Sequence, residues 1–159
     1  ALASGAPWPR AGRQWFHIGV SGLLLHACYL GGVFVAIGLG LPAGVTALVV
    51  GLQPLLTATV AGRLLGERVL PRQWLGLVLG FIGVALVLSN RLGTGFGPVA
   101  LVPAAFALVA ITGGTLYQKR FCPHFDWRSG AVAQFLPTAM VTAVAVFALD
   151  GYRIDWTGE

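Results

Sequence analysis

Long apolar runs, parted by short links rich in Gly, Pro or Arg, constrain this chain more than any other feature of it. A helix needs about 20 apolar residues to cross the hydrocarbon of a bilayer. The runs place membrane-spanning helices at about 15–38, 43–65, 73–89, 98–117 and 130–149, which predicts an all-α polytopic bundle of about five helices. The first ends in the breaker-rich Gly38-Leu39-Gly40-Leu41-Pro42, and Pro42 suits the first turn of the second. So short a link predicts that these two helices form a tight antiparallel pair. The third run is short for a bilayer and is expected to extend by tilt or by its flanking residues. Strands are excluded because the runs are too long and lack strict alternation, and an outer-membrane barrel would show short alternating segments.

Only 9% of the 159 residues are charged and 57% are apolar, with a mean hydropathy of +0.82. A soluble domain carries roughly 25% charged residues, so lipid is the expected solvent for most of this chain. The net charge of +5 does not point to nucleic acid, since the basic residues sit at the ends of apolar runs and not in a patch with exposed aromatics. Cys28 lies in an apolar run and Cys122 in a basic loop, a spacing that matches no zinc or redox motif. The opening Pro/Arg stretch, 6–13, is not a signal peptide. A start at Ala1 and a polar end over 154–159 read as the cut ends of a longer membrane protein.

Topology follows from the basic residues. Alternate links carry Arg10 and Arg13, then Arg63, Arg68 and Arg72, then Lys119, Arg120 and Arg128, while the intervening links carry only Arg91 and Arg153. The bias assigns the first tail, the 63–72 turn and the 117–128 loop to the cytoplasm, in a bacterial inner membrane. Trp15, Trp74, Trp127 and Trp156 fall near span ends, where an aromatic belt belongs.

Polar groups deep in the bilayer are costly and mark cavities. His26 lies about 16 Å into the first run, near mid-membrane, and Tyr29 shares its face. Gln53 is near the middle of the second, with Thr46 and Thr57 on roughly the same stripe. These two polar faces, on helices expected to be neighbours, predict a half-polar pocket with a wet gap between them. The bland alternative is that the threonines bond their own helix backbones and that His26 and Gln53 merely bridge helices. Pro54 removes a backbone hydrogen bond in mid-run and predicts a kink, as hinge or architecture. Pro137, beside Gln134 and Thr138, repeats the arrangement. Gly76 and Gly80, with Gly83 a turn on, form a small-residue ladder expected to pack against another helix, and Gly62 and Gly66 form a second. No Asp or Glu falls within a run, so His26 is the candidate for a titrating group deep in the bilayer. Arg63 is expected to snorkel.

Signs of an enzyme are missing. GTGFG (93–97) follows no strand and precedes no acidic partner, and there is no HExxH, GxSxG, Walker lysine or carboxylate pair. Cys122, His124 and Asp126 suggest a ligand cluster, but chance loop composition explains them better. No cofactor or metal is expected.

The stretch LPAGVTALVVGLQPLLTATVAGRLLGERVLPRQWLGLVLGFIGVALVLS (41–89) resembles the EamA-type domain of the drug/metabolite transporter superfamily. The shared marks are a small-residue entry (Pro42, Ala43, Gly44), mid-helix Pro54, Gly66-Glu67 closing that helix, and the Gly76, Gly80, Gly83 ladder. Members have ten helices in two inverted five-helix repeats. The resemblance implies helices three to seven, with residues 1–89 ending the first repeat and 98–159 opening the second. It further implies that a small organic solute is moved by alternating access, with His26, Tyr29, Gln53, Thr57, Thr112 and Gln134 as cavity candidates and Pro54 and Glu67 as architecture. The rival reading is a non-transporting membrane subunit that packs with partner helices, or a second copy of itself, through Gly-rich faces.

Overall fold

A computed structural model describes residues 7–9, 11–66, 70–91, 97–122 and 126–149. Glu67, Arg68, His124 and Trp156 lie outside them, as do the side chains of Arg63 and Arg91. Among the described residues every regular element is helical. Helix α1 is the continuous span Gly12–Gly38, with a π-helical turn at Leu23–Cys28. Helix α2 is broken into Ala43–Val50 and Gln53–Leu65. Helix α3 is Pro71–Arg91, α4 is Leu101–Phe121 after a 3-10 turn at Pro98–Ala100, and α5 is Trp127–Leu149.

Five helices are present among the described residues, where about five were expected. Gly12–Gly38, Ala43–Gly62, Pro98–Phe121 and Trp127–Ala148 are each long and apolar enough to cross a bilayer. At 21 residues α3 is longer than the expected 73–89, and at about 1.5 Å per residue it also matches the hydrocarbon thickness. The exposure of large apolar side chains such as Phe34, Leu75, Val102 and Phe147 suits lipid contact on these helices. The protein is an integral membrane protein with an all-α fold.

The helices stand side by side in the order α5, α1, α4, α2, α3. This corrects the expected α1–α2 pair. Those two meet at their link, where Leu41 N–H bonds Ala36 O at 3.0 Å, and α4 lies between them for the rest of their length. Small residues explain the insertion. A Cβ on Gly32 of α1 would lie 2.9 Å from Pro103 O, and one on Gly114 of α4 would lie 2.9 Å from Leu25 Cγ. Two helices without such Cβ atoms approach closely, which is what holds helices together in lipid. Ala36, Leu41, Val45, Ala100 and Ala104 fill the space where the α1–α2 link meets the start of α4.

The break in α2 has a local cause. Pro54 has no N–H to offer Val50 O, and its ring crowds that carbonyl, so the first half cannot run on unbroken. Leu52 N–H falls back to Val49 O at 3.2 Å and the second half restarts with Pro54 in its first turn, where proline is tolerated. The kink expected at Pro54 is thus a break at Gly51-Leu52. Pro137, by contrast, sits inside an uninterrupted α5.

Candidate functional site

The expected polar pocket between His26 and Gln53 does not form, because the two residues serve different interfaces. Gln53, at the start of the second half of α2, donates from Nε2 to Thr115 Oγ1 of α4 at 3.1 Å. Thr115 in turn donates to Ile111 O at 2.7 Å. Its own hydroxyl proton is thereby committed to the helix, so it meets Gln53 as an acceptor. One turn beyond Gln53, Thr57 Oγ1 is buried with no hydrogen-bond partner among the described residues. Thr112, buried on the same side of α4, donates to Leu108 O at 2.7 Å. Gln53, Thr57 and Thr112 therefore belong to the α2–α4 side of the bundle.

His26 and Gln134 belong to the side between α1 and α5. His26 lies within the π-helical turn and stacks on Phe135 of α5, ring centroids 4.4 Å apart and 19° from parallel. Half-buried Tyr29 follows immediately after that turn. Gln134, 8% exposed, donates from Nε2 to Ser21 Oγ at 3.1 Å, and Ser21 donates to Ile18 O at 2.7 Å. Thr138 donates to Gln134 O at 2.8 Å, and Pro137 packs on α1, its Cγ 3.5 Å from where a Gly19 Cβ would be. Thr46 on α2 is buried and donates to Pro42 O, the local bond expected of a threonine in a membrane helix.

A third cluster escaped the sequence. Where α1 begins and α4 ends, His17 Nδ1 lies 2.7 Å from Tyr117 Oη, and His17 stacks on Phe121 at 5.0 Å. Arg13 Nε donates to His17 Nε2 at 3.4 Å, which makes Nε2 the acceptor and leaves Nδ1–H to donate to Tyr117. Beside them Arg120 Nη1 donates to Leu64 O at 2.8 Å, one of the carbonyls that the end of α2 leaves without an intrahelical partner. The i, i+4 spacings Arg13/His17 and Tyr117/Phe121 were there to be seen, but nothing in the sequence says that those two helix ends meet. Cys122 follows α4, and burial pushes its thiol pKa up, away from a reactive thiolate.

Beside Gln53 and Thr57 the α2–α4 interface opens into a cleft of about 550 Å³, lined by apolar side chains of both helices with Thr112 in its wall and Tyr117 and Arg120 at one end. Among the described residues no group of His, Cys, Asp and Glu could hold a metal.

The chain matches the model of the EamA-like transporter family over residues 1–89. It belongs to that family. Among its relatives, the uncharacterized transporter YvbV of Bacillus subtilis is 33% identical over 118 residues, 74% of this chain and 39% of the relative. A probable amino-acid metabolite efflux pump of Escherichia coli is 25% identical over 138 residues, 82% of this chain and 45% of the pump. The uncharacterized inner membrane transporter YedA of the same species is 27% identical over 135 residues, 84% and 42% of the two chains. The chain thus spans less than half the length of these curated relatives. No solved structure matches it. Within this EamA-like chain, the matched region carries the break in α2, with Gln53 and Thr57, and the Gly76, Gly80, Gly83 ladder.

Proposed function

We propose that the complete gene product moves a small organic solute across the bacterial inner membrane by alternating access, with no cofactor and no chemical change in the solute. In this reading the five helices are helices three to seven of an inverted-repeat carrier, residues 1–89 closing one repeat and 98–159 opening the next. The tail before α1 and the 63–72 and 117–128 links face the cytoplasm, following the basic-residue bias.

The observation that carries the reading is the broken α2. Discontinuous helices in carriers place unsatisfied backbone and a helix N-terminus near the membrane midplane, where solute binds. Here the restart at Gln53 has no side-chain cap. Gln53 keeps its Oε1 as an acceptor beyond the bond to Thr115, and Thr57 adds a buried hydroxyl without a partner. A polar solute group answers both. We assign Gln53 and Thr57, with Thr112 in the adjoining wall, to the binding cavity. His26, Tyr29 and Gln134 form a second polar locus between α1 and α5.

The test is solute flux in membrane vesicles that carry the complete gene product. Gln53→Ala is expected to cut flux at least tenfold with expression unchanged, the loss of one buried hydrogen bond to the solute being worth about 1.5 kcal/mol. His26→Ala, on the other side of the row, is expected to alter flux less. Normal flux in Gln53→Ala and Thr57→Val together would remove the cavity assignment. The Gly76, Gly80, Gly83 ladder supports the subunit reading instead, since a Cβ at any of the three would meet nothing within 4 Å among the described residues. That reading expects loss of partner co-purification in Gly80→Leu and no flux to lose.

A further inference from the structure

We propose that the α2–α4 cleft is a binding groove for one anionic phospholipid, whose head group sits on Arg120. The groove runs along α4 from Val109 to Arg120. Eleven residues at about 1.5 Å each make roughly 16 Å, half of a hydrocarbon core about 30 Å thick. The cleft is therefore one leaflet deep, with its apolar end at mid-membrane and its charged end at the helix terminus. Its rim is open sideways, Val109 being 64% and Leu64 51% exposed.

The chemistry of the wall favours a lipid tail over a polar solute. Of the two hydroxyls that line the cleft, Thr112 commits its proton to Leu108 O, while Tyr117 accepts from His17 and keeps its O–H at the charged end beside Arg120. The apolar length between them thus presents no unpaired polar group to a solute. At the charged end, the bond from Arg120 to Leu64 O uses one of five guanidinium donors and holds the side chain in place. Among the described residues no carboxylate takes its other donors, and a planar fork is well matched to a phosphate. Asp126 is the one acidic side chain among the described residues, and it accepts from Arg128 N–H. The groove shares Thr112 with the proposed solute site, but Arg120 lies at its other end, so Arg120→Gln tests the lipid apart from Gln53 and Thr57.

Native mass spectrometry of the purified complete gene product tests this, with phosphatidylglycerol and phosphatidylethanolamine supplied in equal amounts. One basic residue at the head-group level is worth about 1 kcal/mol, so phosphatidylglycerol is expected to be retained about fivefold over phosphatidylethanolamine. Arg120→Gln is expected to bring the two to parity, while Arg120→Lys keeps the preference and controls for loss of the bond to Leu64. Gly113→Leu is expected to lower retention of both lipids by filling the groove, and it should fold, because a Cβ at Gly113 meets nothing within 4 Å. Equal retention of the two lipids, a preference that survives Arg120→Gln, or a Gly113→Leu variant that binds lipid normally would each overturn the proposal. The last result would mean that another helix of the gene product, a second copy or a solute occupies the groove.

Discussion

The two flanks of α4 are built on different terms. On the α1 and α5 flank, backbones touch: Gly22 faces the Gln134 backbone, Gly32 faces Pro103, and Ser21 is fully buried with both its bonds made. On the α2 and α3 flank, α2 is broken, Thr57 is buried unsatisfied, and among the described side chains of α3 only Leu77 is even half-buried. Glycines occur on both flanks, yet among the described residues those that come against another helix, Gly19, Gly22, Gly32 and Gly114, are all on the first. A small residue permits close approach, and the opposing surface decides whether the approach happens. One flank is therefore closely packed, while on the other Thr57 Oγ1 and the α3 glycines have no contact among the described residues.

The sharpest way to break this contrast is Gly22→Ala. The added Cβ would fall 2.8 Å from Gln134 Cα, a backbone atom that moves only if α5 moves. Overpacking of this kind costs about 2–3 kcal/mol, well above the gain of up to about 1 kcal/mol in helix propensity. Reversible unfolding in mixed micelles should show that loss. An unchanged midpoint would mean that the α1–α5 interface is as loose as the other flank. Next in size, and opposite in sign, is Thr57→Val. Removing a buried hydroxyl that has no partner is expected to stabilise the protein by about 1 kcal/mol in the same assay. A destabilised Thr57→Val would show that the hydroxyl is satisfied after all, and the contrast between the flanks would weaken.

How much of this could be read from the sequence differs along the chain. The existence of the spans was legible because burial in lipid demands apolar length, and 43–65 and 130–149 fall within a few residues of α2 and α5. The interruption near Pro54 was legible for a stereochemical reason, the missing N–H, but its position at Gly51-Leu52 follows from which carbonyl the ring crowds. The order of helices was not legible. The short link after Gly38 promised an α1–α2 pair, whereas the small residues of α4, above all Gly114, let that helix come between them. The site suffered accordingly. His26 and Gln53 share a depth, which sequence position fixes, but they do not share an interface, which packing fixes. The π-helical turn around His26 has no residue signature, and the His17–Tyr117 pair joins residues 100 positions apart.

A finer probe of the closely packed flank is Gln134→Leu. It removes the bond to Ser21 Oγ, while Ser21 keeps its bond to Ile18 O, so no buried group is left orphaned. Interhelical hydrogen bonds of this kind in membranes average about 0.6 kcal/mol, and a loss of that size is expected in the micelle assay. A loss above about 2 kcal/mol would show that the α1–α5 contact depends on polar bonding more than on the close approach at Gly22.

The smallest effect is expected at Gly80→Leu, and there the sign matters more than the size. Gly80 lies inside α3 with nothing within 4 Å of its Cβ position among the described residues, so leucine is expected to introduce no clash and to recover about 0.5–1 kcal/mol of helix propensity. In this chain alone the variant is therefore expected to be as stable as the parent or slightly more so. In the complete gene product the same ladder has the chance to meet another helix, where a leucine would separate backbones that glycine lets touch. Measuring both separates the two flanks as cleanly as any substitution here. A destabilised chain would mean that α3 already packs at Gly80, and the α2 and α3 flank would be as closely packed as the other. A stable chain with a destabilised or dissociated gene product would place the missing contact on α3, on the face that carries Gly76, Gly80 and Gly83.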